Sequence, residues 1–195
     1  PNGIPDEFFS KPIKKSKLNK IIFLGRIAPI KDIETLLKAF KLAKQNKKNL
    51  ELNLVGPIEE DYKIILDKLI SDLRIKVNFL GPIYNLDKKL AILDENNIFV
   101  LPSKREAMPQ ALIEAMSREK IVISSKTEGG KEIVQDAKTG FLFDIGNEKE
   151  LAEKILFSLN SNNSEKIKEI KLNAKKESIQ FKWSTLIKKM QKNLQ

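Results

Sequence analysis

From Lys20 to Phe143 the chain alternates short apolar runs with helical patterns. The strand-like runs are Lys20–Leu24, Leu50–Val55, Lys76–Leu80, Ile98–Leu101, Ile121–Ser124 and Gly140–Phe143. Four contain almost nothing polar (IIFL, IFVL, IVIS, FLF), the pattern of strands covered by helices on both faces. Gly or Pro follows several directly, as at Gly25, Gly56-Pro57, Gly81-Pro82 and Pro102. Between them, apolar residues at 33, 36, 37, 40 and 43 repeat with helical period and predict a helix over Ile33–Gln45, with Asp32 as its N-cap. Tyr62–Ser71 and Leu86–Leu93 behave similarly. Repeated βα units predict a Rossmann-like α/β domain. Its sheet is parallel and sandwiched by helices, its crossovers are right-handed, and its ligand site lies outside the C-terminal strand ends.

After Phe143 the strand pattern stops. Glu148–Leu159 and Ser164–Ser178 read as helices around a Ser/Asn break at Asn160–Ser164, and a last helix runs from Ser184 to about Asn193, behind Trp183. No internal repeat or long linker is visible. Residues 1–19 show no core pattern and are expected to lead in from a preceding domain, which the missing initiator Met also fits.

Length and composition agree with this outline. A chain of 195 residues can bury one core, and 41% apolar with 32% charged residues is a globular composition. No apolar run approaches the ~20 residues of a membrane-spanning helix. Pro1–Ser10 is polar and turn-rich, unlike a secretory signal. The chain has no Cys, which excludes disulfides and thiolate chemistry, and no His, which removes the commonest general base and metal ligand. These features fit a cytoplasmic protein.

The net charge of +10 changes the picture less than it promises. Lys11–Lys20 holds five Lys and no acid, and Glu165–Gln195 holds nine Lys against three acids. The middle, Ile21–Ser164, carries 22 bases against 21 acids. A nucleic-acid reader concentrates Arg and aromatic platforms on its folded core, whereas only 4 of these 36 bases are Arg. Nucleic acid is therefore not the expected partner. The basic ends fit peripheral contact with an anionic membrane at its inner face, or a neighbouring domain.

Chemistry is expected in the βα loops. The first, Gly25 to Asp32, sets Arg26 and Lys31 between a strand end and a helix N-terminus, where an anion gains from fixed charge and free N–H groups. The fourth, Pro102 to Met116, opens a helix at Pro109, leaving Glu106 in the loop and Glu114 about one and a half turns in. Helical side chains lean toward the N-terminus, so Glu114 is aimed at the loop mouth. Two carboxylates at different depths suit two hydroxyl-rich parts of one ligand, such as the vicinal diol of a ribose.

Taken together these segments resemble the C-terminal, donor-binding domain of GT-B fold glycosyltransferases, in the large retaining group numbered family four (glycosyl transferases group 1). The similarity covers nearly the whole chain, in order: Pro1-Asn2-Gly3-Ile4, Gly25-Arg26 with Lys31, Leu54-Val55-Gly56, Phe79-Leu80-Gly81, and Val100 to Ser103 leading into Glu106 and Glu114. Gly129 with Glu132-Ile133-Val134, Thr139-Gly140, and the aromatic pair Phe181 and Trp183 complete it. The resemblance implies that Gly25, Arg26 and Lys31 hold the diphosphate, with Arg26 and Lys31 stabilising the leaving group. It places Glu106 at the donor sugar, Glu114 on the ribose diol, Ala107, Met108, Pro109, Gln110 and Ala111 along sugar and phosphate, and Ile83 near the base. It implies a nucleotide-sugar donor, UDP-sugar foremost, with no metal or other cofactor, and hexosyl transfer to a glycan or lipid-linked acceptor, as in cell-surface polysaccharide biosynthesis. It also implies a preceding acceptor domain, against which residues 181–195 fold back from a core domain of 20–180, so that this chain alone binds donor without turnover. Asp32, Ala107 and Glu128 stand where the family pattern has Gly. Two alternatives stay open: a non-catalytic nucleotide or sugar-phosphate binding module, and a basic module binding anionic lipid or nucleic acid.

Overall fold

The computed structural model describes residues 3–14 and 17–192. Among these, six strands form one sheet: β1 (Lys17–Leu24), β2 (Glu51–Val55), β3 (Asn78–Phe79), β4 (Asn96–Leu101), β5 (Ile121–Ser125) and β6 (Phe141–Phe143). Every pairing is parallel, in the order β3-β2-β1-β4-β5-β6. Such a sheet needs helical crossovers on its faces. They are α2 (Ile33–Asn46), α3 (Glu60–Leu73), α4 (Leu86–Glu95), α5 (Gln110–Ser117) and α6 (Glu128–Ile133), preceded by the short α1 (Glu7–Ser10). Three helices follow the sheet: α7 (Glu148–Leu159), α8 (Ser164–Ser178) and α9 (Trp183–Lys192).

The apolar runs occupy the core as their composition requires. Ile21, Ile22, Phe23, Ile98, Phe99, Val100, Ile121, Val122 and Ile123 are all fully buried, and the stripe Ile33, Leu36, Leu37, Phe40 and Ala43 seats α2 on them. Burying one such large side chain stabilises by roughly 1.5–3 kcal/mol. The sheet also fixes the site. Strand order reverses between β1 and β4, and at such a switch point the loops leaving the two strands part to form a crevice.

Several expectations need correction. Residues 1–19 are not without core: Ile4 and Phe8 are buried, and β1 already begins at Lys17. The Ile4 N–H donates to the Phe181 carbonyl at 2.9 Å, and its own carbonyl accepts from Trp183 N–H at 3.2 Å. Arg118 explains the rest. Buried to 1% exposure, it makes a two-pronged pair with Asp94 (2.9 and 2.6 Å) and donates to the carbonyls of Phe8, Lys11 and Pro12 at 3.1, 2.8 and 2.8 Å. One guanidinium thus satisfies three lead-in carbonyls, a role its place in the chain does not betray.

The third strand shrinks from Lys76–Leu80 to Asn78–Phe79, and α6 was not expected between β5 and β6. Thr127 caps α6 through its side chain, which accepts from Gly130 N–H. Pro109 is the N-cap of α5 rather than its first residue, and α9 starts at Trp183, one residue early, while Asn193 lies outside the described residues, as do Pro1 and Asn2.

Candidate functional site

The first loop is stitched to the second. Gly25 N–H donates to Val55 O at 2.9 Å and Ile27 N–H to Pro57 O at 2.8 Å. A Cβ on Gly56 would lie 1.9 Å from the Gly25 carbonyl oxygen, so the two loops can meet only at a glycine. A 3-10 turn over Pro29–Lys31 then leads into α2. Asp32 stands in the left-handed region (φ 50°), which accounts for the Gly usual at that place, since Gly enters it without strain. As N-cap it does not bond to a helix N–H; its Oδ2 accepts from Thr35 Oγ1 at 2.8 Å. The Ile33 N–H is taken instead by the Tyr62 hydroxyl, at 3.1 Å. Burial and the bond it donates to Glu34 push the Tyr62 phenol well above its ordinary pKa.

The fourth loop is pinned from the other side. Gly129 N–H donates to Glu106 O at 2.9 Å, and a Cβ on Gly129 would lie 2.6 Å from the Ala107 carbonyl oxygen. Ser125 Oγ donates to Ser103 O at 2.6 Å. This backing delivers the Glu106 carboxylate to Lys31: its Oε1 accepts from Lys31 Nζ at 2.5 Å and from Ser103 Oγ at 2.6 Å.

Two adjoining hollows, about 310 and 260 Å³, open at the switch point and share Gly25, Arg26, Gln110 and Ala111. Lys31, Glu106, Met108 and Pro109 line the first; Ile83, Tyr84, Lys89 and Glu114 line the second. Every anticipated site residue except Ala107 therefore faces one cleft. Ala107 is exposed and lines neither hollow. Arg26 is 64% exposed, 3.6 Å from Glu59. Glu114, by contrast, is buried, and both of its oxygens accept from Lys89 Nζ, at 2.9 and 3.2 Å. Lys89 escaped sequence reasoning: on α4 it is one polar residue among several, and only the packing of α4 beside α5 distinguishes it. A larger hollow, about 600 Å³, opens at the other end of the sheet near Asn19 and Asn97 and is remote from these loops.

The cleft thus offers cations for an anion and two separated carboxylates for hydroxyl groups. Residues 5–177 match the profile of the glycosyl transferases group 1 family. The chain belongs to that family. Among family relatives, the chain is 29% identical over 164 residues to CapM of Staphylococcus aureus, a capsular polysaccharide biosynthesis glycosyltransferase, covering 79% of this chain and 42% of CapM. It is 31% identical over 170 residues to an α-1,4-N-acetyl-D-galactosaminyltransferase of Campylobacter jejuni, covering 86% and 45%. The chain therefore spans less than half of either relative. Its fold matches that of Anabaena HepE, solved with UDP and glucose, at a TM-score of 0.85 and 23% identity over 99% of this chain and 55% of HepE. It also matches the C-terminal domain of LpcC, a glycosyl transferase group 1 family protein of Francisella tularensis, at 0.81 and 18% over 93% of this chain and all of that domain. The C-terminal, Rossmann-like half of a GT-B fold is the architecture found.

Proposed function

We propose that this chain is the donor-binding domain of a retaining glycosyltransferase that takes a hexosyl group from a nucleotide sugar, UDP-sugar foremost, and passes it to a glycan or lipid-linked acceptor. The convergence of Arg26, Lys31, Glu106 and Glu114 on one switch-point cleft carries this reading. The first hollow, with Lys31 and Glu106, takes the diphosphate and sugar; the second, with Glu114 and Ile83, takes ribose and base. Arg26 lines both and bridges them along the phosphates. Preorganised cations facing the β-phosphate stabilise the charge that develops as the glycosidic bond to the donor breaks. Glu106 holds Lys31 in place from the sugar side.

In this reading Arg26, Lys31 and the loop N–H groups neutralise the diphosphate, and donor binding needs no divalent metal. The UDP complex of HepE and the capsular role of CapM support the donor class and a place in cell-surface polysaccharide synthesis. A preceding acceptor domain completes the enzyme in this reading, so this chain alone binds donor without turnover. No described helix is long and apolar enough to cross a membrane. Lys188, Lys189 and Lys192 on α9 supply charge for peripheral contact at the inner membrane face. Calorimetry with UDP in the presence of EDTA tests the core of the proposal: binding is expected, and binding that appears only when Mg2+ is added would overturn metal independence.

A further inference from the structure

We infer that Lys89 is a positioning residue for ribose recognition: it holds the Glu114 carboxylate in the orientation that accepts the 2′,3′-diol. This rests on the donor-domain reading above. Glu114 is a buried acid on α5, and a buried carboxylate needs compensation. It comes from Lys89 on α4, whose Nζ donates to both carboxylate oxygens at 2.9 and 3.2 Å. A two-oxygen contact with one cation fixes the plane of the carboxylate as well as its rotamer. The ammonium is itself placed, lying 5.9 Å from the ring centre of Phe8, which is buried in the lead-in segment. Lys89 therefore ties three elements, α1, α4 and α5, to the ribose-binding atom.

A carboxylate has about four acceptor positions. Lys89 uses one on each oxygen, leaving one on each for the two diol hydroxyls, so amine and ribose are accommodated together rather than in competition. Lys89 and Glu114 both line the hollow that Ile83 and Tyr84 share, so the pair is at the site and not behind it. Without the amine the carboxylate is free to turn its oxygens away from the diol, a loss that reduces diol binding specifically.

The experiment is calorimetry of UDP and its 2′,3′-dideoxy analogue against wild type, Lys89→Met, Lys89→Arg and the double variant Lys89→Met/Glu114→Gln, beside Glu114→Gln alone. Met keeps the apolar stem on Phe8 and removes the cation. Lys89→Met is expected to weaken UDP by about tenfold, the scale of one lost charge-assisted bond, while dideoxy-UDP changes little. Lys89→Arg is expected to recover most of the preference for UDP, and in the Glu114→Gln background Lys89→Met has no further effect on it. Equal losses for both ligands in Lys89→Met would overturn the role of Lys89 while leaving the donor site standing. Absence of UDP binding in wild type would overturn the donor reading, and this inference with it.

Discussion

At the scale of single residues, the cleft is a set of charges that already have partners before any ligand arrives. Arg26 is the exception in degree, mostly exposed and only loosely beside Glu59. It can swing onto a phosphate without breaking a tight contact, so its truncation removes interaction with the ligand and little else. A charge-assisted hydrogen bond contributes about 1.5–3 kcal/mol. Arg26→Ala is therefore expected to weaken UDP at least about tenfold in calorimetry, with uridine unaffected. Arg26→Lys recovers part, since a point charge lacks the guanidinium fork. Glu106 behaves differently, because Lys31 and Ser103 both depend on it. Glu106→Gln preserves an acceptor for Lys31 while removing charge near the sugar. It is expected to weaken UDP-sugar more than UDP, and an unchanged ratio would remove Glu106 from the sugar lobe.

At the scale of elements, the cleft depends on backbone approaching backbone. Gly56 and Gly81 both have positive φ, 144° and 68°, but they differ in what surrounds them. A methyl group at Gly56 strikes the Gly25 carbonyl, whereas nothing lies within 4 Å of one at Gly81. Gly81→Ala then costs about 1–2 kcal/mol for the left-handed backbone alone. Gly56→Ala adds a clash that only a shift of the first loop can relieve, about 3 kcal/mol more. Urea unfolding of the two variants checks the order, and Gly56→Ala should also impair UDP binding because the displaced loop carries Arg26. The same logic applies to Gly129 in α6, where a Cβ would strike the Ala107 carbonyl oxygen of the fourth loop.

At the scale of the whole molecule, two buried basic residues, Arg118 and Lys120, stand just after α5 in the chain. Breaking a buried pair leaves an uncompensated charge and costs about 3–5 kcal/mol. Arg118→Met is expected to destabilise by that amount and to open residues 3–14, whose carbonyls Arg118 satisfies, to limited proteolysis. Lys120 is 2% exposed, and burial lowers its pKa from 10.5 to about 8. The unfolded chain then binds more protons than the folded one between those values, so stability rises with pH across that window. Below pH 8 the full cost of burying the ammonium is present, about 3 kcal/mol. Above 10.5 it is gone. Lys120→Met is therefore expected to exceed wild type in stability most clearly below pH 8, with the gap closing as pH approaches 10.5 in chemical denaturation.

The chain's own order of residues determined the element types, the family and nearly all of the cleft. Helical and strand periods are local, running over a few residues, and the Gly and Pro that end them are local too. That is why β1, β2, β4, α2 and α4 lie within two or three residues of their expected places. The cleft was legible because βα loops must sit at strand ends, which brings Arg26, Lys31, Glu106 and Glu114 to one side without knowledge of the strand order. What only the tertiary structure decided is who meets whom. Lys31 finds Glu106 across 75 residues and Lys89 finds Glu114 across 25, and neither spacing has a period to reveal it. The lead-in joins the core because Ile4 and Phe8 are buried and Arg118 reaches its carbonyls, and the fourth loop lies against α6 because Gly129 has no side chain to keep it away. Such pairings follow from the order β3-β2-β1-β4-β5-β6, which sets which loops and helices become neighbours, and a one-dimensional pattern does not carry that order.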